Sequence, residues 1–191
     1  MCVFLEIDGL VALEHREKWE ETRRFLYRLW EQDKMNVSKL CRLSSECWYI
    51  LSEWDCWTHQ PNLSAESFKN TLIEATEFGI QHFSHDVVFL WLSGYMISQF
   101  PYLFYRGYSD QSFSTWESMG KHMLRTATEL QPDDPIAKIL YLGSSSMDSA
   151  AYLAERIRFQ PFLFAAFPGD TLIEAYFRDI LSEPSSEHDE A

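Results

Sequence analysis

An all-α fold is predicted on three observations. Apolar residues recur every three to four positions from Trp19 to Leu181, no stretch alternates as a half-buried strand would, and capping residues stand before several of the apolar runs. With 46% hydrophobic and 16% aromatic residues, a chain of 191 residues can bury a substantial core. The expected arrangement is about eight helices in antiparallel hairpins. Residues 1–182 read as one helical domain, and 183–191, which are polar, acidic and contain Pro and Ser, read as a solvated tail.

The first helix is expected from Arg16, with Trp19, Thr22, Leu26, Leu29 and Trp30 on one stripe. After the polar break at 33–36, Val37, Leu40, Cys41, Trp48, Leu51 and Trp54 repeat the spacing, and 60–62 stop it. Ser64 caps a third helix through Phe83. The fourth, from Asp86 to Ile97, is apolar all round and is placed at the centre of the stack. Pro101 to Phe113 reads as an irregular, aromatic connection, and Ser114 with Glu117 as a capping box opening the fifth helix. A sixth starts near Asp134-Pro135, and two more span Asp148–Arg158 and Thr171–Leu181, the last with Thr171 and Glu174 as a second capping box.

The passage from Gly120 to Gly143 resembles the junction between two tetratricopeptide repeats. Gly120, Leu124, Ala127 and Pro132 match the small, large, small and proline positions of a second helix, and Leu142-Gly143 match the Leu-Gly pair of the next first helix. Small residues suit these places because the helices cross closely. One extra residue separates Pro132 from Leu142-Gly143. A fainter copy at Leu72, Ala75–Glu77, Asp86 and Trp91–Gly94 lies about fifty residues upstream, too far for a regular array, so the stack is degenerate. The resemblance is strong only over about residues 114–145. It implies helical hairpins that bind protein or peptide, and it implies no catalysis.

Charge narrows the partners. Sixteen Lys and Arg against 29 Asp and Glu give a formal charge of −13, a field that repels phosphate backbones and anionic lipid and attracts basic proteins. Neither nucleic acid nor membrane is therefore an expected partner. The longest uncharged stretch, Val87–Tyr105, is interrupted by Ser93, Gly94, Ser98, Gln99 and Pro101, which reads as a buried helix ending before Pro101. The amino terminus has no basic region before its first carboxylate, so a cytoplasmic protein is expected. In such a compartment Cys2, Cys41, Cys47 and Cys56 read as reduced, small core residues.

The candidate docking charges are Glu53, Asp55, Glu74 and Glu77, the ordinary reading of such pairs being a solvated face. Tyr102, Tyr105 and Tyr108, together with Phe104 and Arg106, read either as exposed anchors for a partner or as a lid over the core. Cys56, His59, His82 and His85 have the spacing of paired metal ligands, but mixed pairs are a poor zinc signature, and neither a metal nor a cofactor is expected. No phosphate loop, nucleophile elbow or zinc-protease helix is present, so the chain is read as a non-enzyme. By type it resembles a bacterial immunity protein that neutralises a basic toxin domain. The alternatives are a tetratricopeptide-like chaperone or adaptor for an extended peptide and, from another class, an all-helical enzyme.

Overall fold

The computed structural model describes residues 3–57, 63–107, 109–145 and 149–182. Among them the fold is all-α, with no strand: α1 (Leu10–Glu14), α2 (Trp19–Glu31), α3 (Val37–Ser52), α4 (Trp54–Trp57), α5 (Ala65–His82), α6 (Val87–Gln99), α7 (Asp110–Leu130), α8 (Pro135–Gly143), α9 (Ala150–Phe159), α10 (Leu163–Ala166) and α11 (Leu172–Leu181). Short 3-10 turns occupy Pro101–Leu103 and Gln160–Phe162. Eight of these helices have nine or more residues, and they are the eight that the periodicity predicts.

Local chemistry explains most helix starts. Asn36, Ser64, Asp86 and Asp134 each accept a backbone N–H from the third residue of the helix they open, at 3.2, 3.3, 2.9 and 2.8 Å. Where the boundaries differ from the expectation, a cause is visible. Glu17 takes a left-handed φ of 54°, so α2 starts at Trp19 rather than at Arg16. The capping box at Ser114 is bypassed, because Ser109 is extended and its Oγ accepts the N–H of Ser112 at 3.0 Å; α7 thus begins at Asp110 and absorbs part of the expected loop. Ser149 does the same for α9, which starts two residues beyond Asp148. α1 and α10 are too short to show a period in the sequence.

α3 and α6 form the centre. α3 packs against α2, α5, α6 and α11, and α6 against α3, α7 and α8. The α6/α7 pair is antiparallel and very close. A Cβ at position 94 would lie 2.9 Å from the backbone N of Leu124, and one at 120 would lie 2.8 Å from the backbone N of Ser98. α6 ends before Pro101, as expected. No helix among the described residues is long and apolar enough to cross a membrane. One cluster of buried side chains runs from Phe4 to Leu181. The amino-terminal segment closes it: Val3 donates its N–H to Ala166 at 2.9 Å, and Phe4 packs on Phe167 and Phe177 at 6.1 and 5.8 Å.

Candidate functional site

Three of the four candidate docking carboxylates already have an interaction within the chain. Glu53 and Asp55 flank the break between α3 and α4, both exposed, and Glu53 Oε2 accepts from Cys56 Sγ at 4.0 Å. Asp55 also has an interaction within the chain. Glu74 and Glu77 stand three apart on the exposed face of α5, where the Tyr27 hydroxyl donates to both carboxylate oxygens of Glu74, at 3.0 and 3.1 Å. Burial, then this hydrogen bond and the charge of Glu74, push the Tyr27 phenol up to about 12. Glu74 is therefore half-committed to α2, and Glu77 is the freer charge of that pair.

The aromatic connection is a lid. Phe104 is buried and stacks on Trp116 at 6.0 Å, and Tyr105 is only 7% exposed, with its hydroxyl buried and unpartnered. Tyr105 is thus not the exposed anchor that its residue type suggested. The segment is held down by Lys69, whose Nζ donates to the Tyr102 carbonyl at 2.9 Å and lies 6.0 Å from the Tyr105 ring centre. Among the described tyrosines of this connection only Tyr102, at 44%, is exposed. Tyr108 lies outside the described residues.

Of the Cys and His pairs, Cys56, His82 and His85 fall within the described residues. His82 lies against Phe78 with ring centres 4.2 Å apart, and His85 Nδ1 hydrogen-bonds Ser84 at 3.1 Å. Among the described residues no group of His, Cys, Asp and Glu is placed to hold a metal. Cys41 and Cys47 are buried, and burial pushes both thiols well above their usual range, whereas Cys56 is exposed and is not the core residue expected. α4 breaks away from the line of α3 at Glu53, which turns Cys56 outward. His59 and Cys2 lie outside the described residues.

Two features were not found from the sequence. The first is a stretch of exposed large apolar side chains: Ile157, Phe162 and Phe164 are 56%, 61% and 71% exposed, on the end of α9, the following turn and α10. Its signal, Ile157 to Ala166, was absorbed into an expected helix end and its connection. The second is a buried charged cluster. Arg42 Nη2 contacts Glu14 and lies 3.3 Å from Glu46, all three side chains being almost wholly inaccessible. Glu14 Oε2 also accepts the N–H of Leu172 at 2.8 Å, at the start of α11. Glu174 completes that turn: it takes the Gly169 N–H at 2.9 Å and the Thr171 hydroxyl at 2.6 Å. The expected Thr171/Glu174 capping box is therefore rearranged, with Thr171 donating and Glu14 supplying an acceptor from the other end of the chain. A cleft of about 440 Å³ lies beside this turn, lined by residues 4–11 and 168–171 with Glu174.

Among the described residues these features define an all-helical fold with an exposed apolar stretch at 157–164, in a chain of net charge −13. No protein-family description, no curated protein and no solved structure matches the chain.

Proposed function

We propose that this chain is a protein-binding domain whose partner is basic, and that the partner seats on Ile157, Phe162 and Phe164. The observation that carries the reading is the exposure of those three side chains within one short stretch. Burying a Phe or Ile side chain is worth about 1.5–3 kcal/mol, so a partner that covers the stretch gains a hot-spot cluster of the usual kind. The charge of −13 supplies the long-range part of the recognition, by steering a cationic surface toward the domain. In its narrower form the partner is a toxin domain that binding neutralises, a form supported by the analogy of size, acidity and helical content.

A pull-down with the wild-type chain and with the double variant Phe162→Ser/Phe164→Ser, at low and high salt, tests the reading. The expected result is a partner with net positive charge that is lost both at high salt and with the variant, while circular dichroism stays unchanged. Capture that ignores the variant, or an acidic partner, would refute it.

A further inference from the structure

A second cavity, of about 300 Å³, lies where α6, α8, α9 and α11 converge. Its walls are Tyr95 and Ile139, Leu140 and Ile180, and no Asp or Glu lines it, although the chain carries 29 of them. Its one charge is Arg156. Among the described residues Arg23, Arg42, Arg156 and Arg178 are the half-buried or buried arginines. Arg23 engages Glu20, Arg42 engages Glu14 and Glu46, and Arg178 donates to the carbonyls of Phe167 and Gly169. Arg156 has neither carboxylate nor carbonyl. Its Nη1 donates to the Tyr152 hydroxyl at 3.2 Å, and its Nε is buried with no partner. The carboxylate next to it in sequence, Glu155, is engaged by Lys138 and by Arg158 at 2.6 Å.

A buried donor left without an acceptor is unfavourable, and a guanidinium supplies a planar fork that matches a carboxylate. Tyr152, 7% exposed, accepts from Arg156, which leaves its own O–H free to donate to an anion beside the guanidinium. Gly143 seats that ring: a Cβ there would lie 3.0 Å from Tyr152 Cε2. The lining is otherwise mostly apolar, and the volume is at the lower end for small-molecule sites. We infer that this cavity binds a small organic carboxylate, with its carboxylate on Arg156 and Tyr152 and its apolar body between Tyr95, Ile139, Leu140 and Ile180.

Isothermal titration of the full chain with phenylacetate, phenylacetamide and inorganic phosphate tests the inference. Phenylacetate should bind with Kd between about 10 µM and 1 mM, the range a ten-atom ligand reaches. The neutral amide and phosphate should each bind at least about tenfold more weakly, because one lacks the charge and the other the apolar body. R156Q should cost about tenfold or more, Y152F severalfold, and the exposed-site control R24Q nothing. If R156Q fails to fold by circular dichroism, the acid–amide comparison on the wild type and the Y152F titration still decide. Equal affinity for acid and amide, an equal response to phosphate, indifference to Y152F or R156Q, or no binding of phenylacetate up to about 10 mM would each overturn the site.

Discussion

Gly94 and Gly120 face each other across the α6/α7 pair so closely that a Cβ on either one would fall 2.9 Å from the other's carbonyl oxygen. Helix backbones meet at this distance only where neither residue has a side chain. Gly120→Leu must therefore push α7 away from α6, with a loss of about 3 kcal/mol or more by urea unfolding, since overpacking of this kind has no flexible neighbour to absorb it. Ala127→Leu, at a fully buried site on the same helix, should cost about 1–3 kcal/mol. A loss within about 0.5 kcal/mol for either variant, the usual range for surface positions, would contradict the packing of α7.

The Glu14–Arg42–Glu46 cluster carries two carboxylates on one guanidinium. Glu14 takes the close contact with Arg42. Burial is the largest influence on Glu46; Arg42 opposes it, and the charge of Glu14 with a hydrogen bond to it adds to it, so that the Glu46 carboxyl is pushed up to about 8. A carboxyl raised in the folded state contributes stability that is fully present below its unfolded range, near pH 4, and is lost as pH rises through the folded value. Through this group the protein should be less stable at pH 8 than at pH 5. Glu46→Gln, a neutral isostere of the protonated form, should flatten that fall and stabilise the domain at pH 8. Urea unfolding of both proteins at the two pH values checks it, and a pH profile unchanged by the substitution would remove the assignment. Arg42→Ala leaves Glu14 buried without its cation and should cost about 3–5 kcal/mol.

Tyr105 separates a lid from a docking surface. Its ring is buried but its hydroxyl finds no partner, so Tyr105→Phe should be neutral or stabilising by up to about 1 kcal/mol, because it removes an unsatisfied polar group. Tyr105→Ala should cost about 3 kcal/mol or more, as large-to-small changes in a core do. Lys69→Met should speed amide exchange in residues 101–105 without changing global stability much, since Lys69 ties that segment down through the Tyr102 carbonyl. A Tyr105→Ala variant of wild-type stability would mean that the ring is not part of the core.

What was legible in the sequence was what repeats locally. Trp19, Leu26 and Trp30, or Leu124 and Ala127, stand at helical spacing and are buried as that spacing requires. The closeness at Gly120 also follows from residue size, since a glycine leaves room for the facing backbone. What stayed hidden depends on contacts between distant parts of the chain. Glu14 looks like any surface carboxylate until Arg42 and the start of α11 close around it. Tyr105 looks like an exposed aromatic in a loop until that loop folds over α5 and α7. Ile157, Phe162 and Phe164 carry the composition of core residues, yet they stand exposed on the end of α9, the turn at 160–162 and α10.

The proposed steering of a basic partner has its own signature, distinct from the apolar stretch. At an ionic strength near 0.15 M the field of exposed charges decays over about 8 Å, so raising salt should slow association while leaving dissociation nearly unchanged. The four carboxylates differ in what else they do. Glu53 and Asp55 mark the exposed corner between α3 and α4, and reversing both should lower the association rate with folding stability altered by no more than about 0.5 kcal/mol. Glu77→Lys should behave alike. Glu74→Lys should slow association and also destabilise the domain by about 1 kcal/mol, because it removes the acceptor of the Tyr27 hydroxyl that joins α2 to α5. Stopped-flow mixing over a range of ionic strengths, with urea unfolding of each variant in parallel, separates the two effects. An association rate indifferent to both salt and these reversals would leave recognition to Ile157, Phe162 and Phe164 alone, and the acidic surface would then have no part in finding the partner.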